Sequence, residues 1–243
     1  MNSISSKAKI GNNVKIGKFV TVYDDVEIGD NAIIDSYSEI GVSNGQEKKG
    51  LSIGENAHIR SHSVIYSGSD IGSFLSTAHF SVIRENVVIG DHFQLGISCL
   101  IQPDCKIGSY VRIISNSMIT HNSTIEDFVW IFPFATFASD RQPPSSVDKL
   151  GPTIKSYAIV ATGAIVLPGV QVGKGAIVAA GCVLTKDLPD HMVAKGVPGS
   201  VVGPTSKIKL FGTDDPAYPW TRHFHRGYPE DVIVRWKEIN KTV

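Results

Sequence analysis

The chain has 243 residues, with 23 basic and 23 acidic side chains and three cysteines. That length supplies a substantial core, and a formal net charge of zero gives no global reason to expect nucleic acid or an anionic membrane as a partner. No apolar run reaches the length of a transmembrane helix, and residues 1–9 lack the apolar region of a signal peptide, so a reduced, cytoplasmic protein is expected.

The chain repeats every six residues from its start. Ile4, Ile10, Ile16, Val22, Ile28, Ile34 and Ile40 keep one phase. Six matches neither the 3.6 period of a helix nor a plain alternation. It is the signature of a hexapeptide solenoid, in which each step supplies one short strand and one corner. Phase breaks across the polar residues 42–52, which read as a loop leaving the coil.

The longest run follows, from Ile53 to Phe137, with Thr77 as its one slot that is not a large apolar residue. Four residues after most of these aliphatics stands a small residue, such as Ala57, Ser63, Cys99, Cys105 or Ala135. The large side chain is expected to fill the interior and the small one to sit where the wall bends. All three cysteines, Cys99, Cys105 and Cys182, share the small-residue phase, which predicts buried thiols rather than a disulfide or metal site. Glycine often follows the aliphatic, as at Gly54, Gly72, Gly90 and Gly108, and tolerance of positive φ is the expected reason.

A second excursion spans 138–153, where three prolines and several polar residues cannot continue a β-wall. The repeat resumes at Ile154 and runs to Leu184, giving 28 steps in all. At three per turn, with parallel strands roughly 4.8 Å apart, this makes about nine coils. The solenoid domain is therefore expected over 1–187, followed by an extension over 188–243. Within the extension, Val232, Trp236 and Ile239 have helical spacing, and a short helix over 230–240 is expected to cap the open end of the solenoid or a neighbour.

Three stretches carry chemistry. The first begins Val166-Leu167-Pro168-Gly169-Val170, continues through Ala179-Ala180-Gly181 and Thr185-Lys186-Asp187, and closes at Gly196-Val197-Pro198-Gly199. The second is Thr77-Ala78-His79, followed by Ile83-Arg84-Glu85. The third runs from Ile131 through Ser139-Asp140-Arg141. Together they resemble the hexapeptide-repeat acyltransferases, and within these the N-acetyltransferases of nucleotide-linked amino sugars. Departures from that branch stand at Ala78, Phe132 and Ser139.

The resemblance implies a left-handed parallel β-helix, although parallel crossovers in general are right-handed in roughly 98% of cases. It also implies acetyl-CoA as donor, a homotrimer with sites between subunits, and a nucleotide-sugar acceptor. Donor contacts are implied for Ala161, Gly163, Ala179 and Ala180 along the wall. Lys186 and Lys195 are implied at the nucleotide phosphates, and Pro198 at the adenine. Arg84, Asp140 and Arg141 are candidates for acceptor contacts.

Acyl transfer to an amine needs a sink for the amine's proton and donors for the oxyanion, and histidine is the usual base. None of the eight histidines occupies an inward phase. His79 is the leading candidate because the aliphatic rule fails beside it, at Thr77. His121 shares its phase, but 42 residues of separation place it on a different side of the prism. Asn116 is a candidate to orient the nucleophile and Glu85 to polarise a histidine or hold the amino sugar. Three alternatives stay open: an O-acetyltransferase, a zinc carbonic anhydrase of the same coil using His58 and His62, and a non-catalytic scaffold. No metal is expected on the acyltransferase reading.

Overall fold

The computed structural model describes residues 1–45, 50–145, 147 and 149–241. Residues 46–49, 146 and 148 of the two expected excursions lie outside the described residues. Successive strands are mostly two residues long and pair in parallel with the strand eighteen residues on, as in Ile65↔Ile83 and Ile83↔Ile101. Three sheets result, with ten, nine and eleven strands. We call them A, B and C in chain order, starting from Ser3–Ile4, Lys9–Ile10 and Lys15–Ile16. They form a three-sided parallel β-helix of about ten turns, one more than the repeat count gave. Sheet A opens at Ser3–Ile4 and closes at Val183–Leu184, and sheet C continues into Met192–Lys195 beyond the periodic run.

The inward phase is as expected. Ile65, Ile83, Ile101 and Ile119 are fully buried in one column, and Ser63, Ser81, Cys99 and Ser117 fill the small slots beside them. All three cysteines are free and buried, and burial pushes the Cys105 thiol up to about 11. Thr77 is buried as well. Its hydroxyl accepts the Arg60 N–H and lies 3.2 Å from the Ser63 hydroxyl, so an internal hydrogen bond replaces a methyl contact. In the first described strands, Ile4 and Ile10 keep phase yet are exposed.

The expected role of the glycines needs correction. None of Gly54, Gly72, Gly90 and Gly108 has positive φ; the left-handed conformation is taken two residues later, by Asn56, Phe74, His92 and Tyr110. These glycines are required by stacking. A Cβ at Gly54 would lie 2.5 Å from the Ser73 nitrogen of the next coil, and one at Gly90 would lie 2.7 Å from the Ser109 nitrogen. The edge between sheets B and C is thus a close seam of backbone on backbone. Side chains of the next coil bond its amides, as Asp91 does for the Ser73 N–H.

The C-terminal extension does not cap the solenoid as expected. Its helix α1, Glu230–Lys241, lies against the flank of sheet C. Val232, Ile233 and Trp236 are buried there with Trp220 and Tyr228, while Ile239, expected on the buried face, is 58% exposed. The partners are outward side chains of the coil: Trp130, Ile159, Ile177 and Val193 from sheet C, and Tyr110, Phe128 and Tyr157 from the neighbouring edge. Arg112 lies over Trp130 and Tyr228 and donates to the carbonyls of Arg226 and Gly227, each at 3.0 Å. Sheet C itself is extended at its closing end by an antiparallel pairing of Met192–Lys195 with Ser200–Pro204. Among the described residues, no helix is long and apolar enough to cross a membrane.

Candidate active site

The residues singled out from the sequence fall on two of the prism's three edges. His79, Asn116, Ala161, Gly163, Ala179 and Ala180 share the edge between sheets C and A. Corner amides link its successive rungs. The N–H of Ser98 donates to the His79 carbonyl, that of Asn116 to Ile97, that of Gly163 to Pro133, and that of Gly181 to Thr162. Residues 195–198 continue this edge, because the Val183 N–H donates to Gly196 and the Gly199 N–H to Val183. Lys195 and Pro198 therefore lie in line with Ala179. Lys186 does not; it follows Leu184 on the far side of sheet A.

Two features of the C–A edge escaped the sequence reading. Its left-handed corner position carries side chains through most of the coil, including Tyr37, His62, Phe80, Asn116 and Phe134. In the last two coils it changes to Gly163 and Gly181, where an added Cβ would meet nothing within 4 Å. Beside these glycines, among the described residues, the Thr162 and Ala180 N–H groups have no hydrogen-bond partner, as at His79, Ile97 and Ser115 in earlier coils, but here no corner side chain projects beside them. The edge thus ends in a cleared strip with two free backbone donors. Asn116, with φ of 60°, stands at the same kind of corner as Asn56 and Asn122, where asparagine tolerates the left-handed region; that accounts for it locally. His79 is exposed, with its Nδ1 2.8 Å from the Ser61 hydroxyl.

Arg84, Glu85, His121, Asp140 and Arg141 occupy the other edge, between sheets A and B, and both long loops leave from it. His79 and the second loop thus lie on different edges, and the histidine beside that loop within one chain is His121. Asn122, next to it, donates to the Lys149 carbonyl at 2.8 Å. The His121 Nδ1 is buried without a hydrogen-bond partner among the described residues. Burial pushes the imidazole below the ordinary histidine range; Asp104 and Glu85 oppose that shift, while Arg84 and Lys149 add to it. A neutral imidazole at neutral pH is what a proton acceptor requires.

Two coils before His121, Arg84 and Glu85 form a bidentate ion pair, Nε to Oε2 at 2.7 Å and Nη2 to Oε1 at 2.9 Å. The Asn44 side chain, from the first loop, also donates to Oε1 at 2.9 Å. Burial alone would raise the Glu85 carboxyl; the hydrogen bonds from Arg84, its own backbone and Asn44 outweigh it and hold the group below its usual range. Asp140 is committed to its own loop. It accepts from Lys149 and the Ser145 hydroxyl, both at 2.7 Å, and from the N–H groups of Gln142 and Ser145. These bonds, the Lys149 one foremost, hold its carboxyl well below the usual range. Arg141 is exposed and donates weakly to the Pro168 carbonyl.

His58 and His62 do not converge. His62 is stacked between Tyr37 and Phe80, and His58 lies 3.7 Å from Asp35. Among the described residues, no three His, Cys, Asp or Glu side chains are placed to hold a metal ion.

Sheet A lies between the two edges. Its outward row is polar in the first strands, at Ser3, Thr21 and Glu39, and then apolar from Val64 through Val82, Leu100, Met118, Ile165 and Val183, with Thr136 as the exception. The corresponding row of sheet B is mostly polar, with Lys9, Glu27, Ser52, Asp70 and Lys106.

Comparison with known proteins agrees with this architecture. Residues 7–41 match the family described as bacterial transferase hexapeptide (six repeats). The chain is 51% identical over 145 residues to a serine acetyltransferase of Bacillus pumilus, covering 59% of this chain and 61% of that one. It is 46% identical over 163 residues to a serine acetyltransferase of Bacillus subtilis, covering 66% and 61%. The chain thus spans about three fifths of the length of these curated relatives. A UDP-N-acetylglucosamine acyltransferase from Francisella novicida shares the fold, with a TM-score of 0.53 at 20% identity, covering 99% of this chain and 77% of that one. Residues 7–41 thus carry the repeat of the bacterial transferase hexapeptide family, and the same six-residue period builds all three sheets.

Proposed function

We propose that the chain is an acyltransferase that moves an acetyl group from CoA to a small-molecule acceptor. The observation that carries this reading is the cleared strip on the C–A edge. An extended pantetheine arm needs a wall without projecting side chains and backbone groups that can bond its amides. Gly163 and Gly181 leave that space, and the free Thr162 and Ala180 N–H groups are oriented donors for the arm's carbonyls. Ala161 and Ala179 border the same strip.

His121 is the proposed base. It takes the proton from the acceptor's nucleophile as that atom attacks the thioester carbonyl. The tetrahedral intermediate then collapses, the C–S bond breaks, and CoA leaves as the thiolate.

The donor strip and His121 lie on different edges, so one chain alone does not bring them together. Three copies packed through the apolar faces of sheet A would place the C–A edge of each against the A–B edge of its neighbour, in a closed ring with three equivalent sites. The acceptor we favour is an amino sugar carried on a nucleoside diphosphate, on the strength of the stretches around His79 and Asp140. The serine acetyltransferases among the relatives favour a second reading, transfer to a hydroxyl.

Incubation with acetyl-CoA and a panel of nucleotide-linked amino sugars, and separately with L-serine, followed by mass spectrometry, tests both. A gain of one acetyl group identifies the acceptor. Failure to bind CoA by calorimetry overturns the enzyme reading. Mixing inactive His121→Ala protein with inactive Gly163→Trp protein tests the shared site. Random reassortment of a ring of three leaves about a quarter of the sites intact, so activity should return; no recovery after subunit exchange refutes the arrangement.

A further inference from the structure

We propose that Phe132 and Phe134 end the donor strip and restrict the transferred group to acetyl, and that the C-terminal extension holds Phe132 in place through Trp130. The inference rests on reading the C–A edge as the donor site, and adds to it the residues that set acyl length.

The strip has a foot. One column of the C–A edge runs Phe132, Ala161, Ala179, Lys195, because the N–H groups of Phe132, Ala161 and Ala179 donate to the carbonyls of Val160, Val178 and Ala194. The corner column beside it runs Phe134, Gly163, Gly181, through the bonds from Gly163 to Pro133 and from Gly181 to Thr162. Both columns change from a phenyl ring to Ala or Gly between the same two rungs. Phe134 is 60% exposed, so burial within the chain does not account for a phenyl ring there. Phe132 is also a position at which the chain departs from the amino-sugar branch.

The length of the strip decides what meets those rings. Lys195 and Phe132 are three rungs apart, roughly 14 Å at about 4.8 Å per rung. A pantetheine arm has about twelve bonds from its phosphate oxygen to its sulfur, the backbone of about four extended residues, roughly 14 Å. With the nucleotide at Lys195 and Pro198, the thioester arrives at the two phenyl rings. The chemistry is at the same height. Asn116 and His121 flank one strand of sheet A, Met118–Ile119, and Phe134 stands one rung above Asn116, its N–H donating to Ser115. In a cyclic ring all copies share one height, so the base reaches the thioester at the foot of the strip. An acyl chain longer than acetyl has to displace the rings.

Phe132 is braced against displacement. Its ring stacks on Trp130, with centroids 5.8 Å apart and 23° between planes. The extension clamps Trp130 in turn. Phe224 meets it edge-on at 5.3 Å and Trp220 at 6.1 Å, and the Trp130 Nε1–H donates to the Tyr228 hydroxyl at 3.1 Å. A packed cluster of this kind yields little volume, so a ring seated on it resists a change of rotamer. Trp130 and Phe224 are therefore positioning residues for the donor end of the site.

The test is calorimetric titration of the full chain with CoA, acetyl-CoA, butyryl-CoA and hexanoyl-CoA, with no acceptor present. Wild-type protein should bind acetyl-CoA about as well as CoA and hexanoyl-CoA about tenfold or more weakly, with butyryl-CoA between. The double variant Phe132→Ala/Phe134→Ala lengthens the strip by one rung, roughly 4.8 Å, and should bring hexanoyl-CoA to within about threefold of acetyl-CoA. Phe134→Ala alone, at an exposed position that tolerates truncation, should recover part of that gain. Phe224→Ala should lower the hexanoyl-to-acetyl ratio about threefold with CoA affinity kept, and Phe224→Tyr should restore the ratio; a role in stability alone would move the melting temperature and not the ratio. Wild-type protein that binds all four ligands alike overturns the proposed stop, as does either alanine variant of the phenylalanines that discriminates as sharply as wild type. An unchanged ratio in Phe224→Ala overturns the part assigned to the extension. Wild-type protein that binds none of the four would instead remove the donor reading on which the inference rests.

Discussion

Gly163→Asn separates the two reasons for a glycine in this fold. Gly163 has φ of 67°, and an added Cβ would meet nothing within 4 Å. Asparagine tolerates that conformation, as Asn116 shows on the same edge at φ of 60°. The backbone need not move, and the unfolded chain loses some freedom in partial compensation. The stability change should stay within about 0.5 kcal/mol, or about 2 °C in melting temperature for a chain of this size. The new side chain would project into the strip assigned to the pantetheine arm. CoA affinity should fall at least tenfold, about 1.4 kcal/mol. Gly54→Ala is the converse case. Its Cβ would press on the Ser73 nitrogen at 2.5 Å, and the Gly54 N–H to Ile71 bond of 2.8 Å holds the two coils at that spacing. Overpacking of this kind costs about 1–3 kcal/mol, or about 2–12 °C, with CoA binding intact in the folded fraction. Differential scanning calorimetry and CoA titration on both variants read the four outcomes. If Gly163→Asn binds CoA like wild type, the donor does not use this edge. If Gly54→Ala melts like wild type, the stacking explanation fails.

Replacing His121 by Ala should lower the turnover number by about 10²–10⁴ with CoA affinity unchanged, whereas His79→Ala should cost less than about tenfold; the reverse order would restore His79 as the base. Because burial lowers the His121 pKa, kcat/KM should rise with pH and level off through a group titrating below 6.5, and a limb above about 7 would refute the assignment. The depressed Asp140 carboxyl stabilises the folded loop fully above the ordinary value of 3.8 and loses that contribution only as pH falls below it; the melting difference between wild type and Asp140→Asn should be constant at neutral pH and shrink in acid. Ile107→Asp, which places a charge in a slot only 4% exposed, should prevent soluble folding; a soluble variant with unchanged melting would contradict the inward phase.

The spiral was legible because its core requirement is local. Each buried aliphatic is six residues from the next, so Ile65 and Ile71 declare a shared interior without any knowledge of their neighbours in space. The edges were not legible in the same way. Which corner a residue occupies depends on counting in eighteens, and each loop adds residues outside that count. His79 and His121 share a hexapeptide phase, and only their 42-residue separation, two coils and one step, puts them on different edges. The role of Gly54 was misjudged because a positive φ and a close approach both select glycine, and the sequence does not distinguish them. The docking of α1 was hidden for a further reason. Its receptors, Tyr110, Phe128 and Tyr157, stand at the left-handed corners and read as interruptions of the pattern. They form a surface only once three coils are stacked, with ring centroids 4.9 Å apart.

That docking changes the mechanical character of the molecule. A solenoid is held by contacts between adjacent coils alone, so it can open one coil at a time from either end. Here residues 220–236 act as a splint across five successive strands of sheet C, from Arg112 through Trp130, Ile159 and Ile177 to Val193. Those coils cannot separate singly without tearing Trp220, Tyr228 and Trp236 from their seats. Among the described residues, the coils before Tyr110 have no comparable apolar brace, only the bond from Asn44 to Glu85, and the chain should unzip from its first strands inward. Amide exchange should therefore be graded along the first half of the chain and then become a single cooperative step. The Thr162 and Ala180 donors lie among the coils that open last.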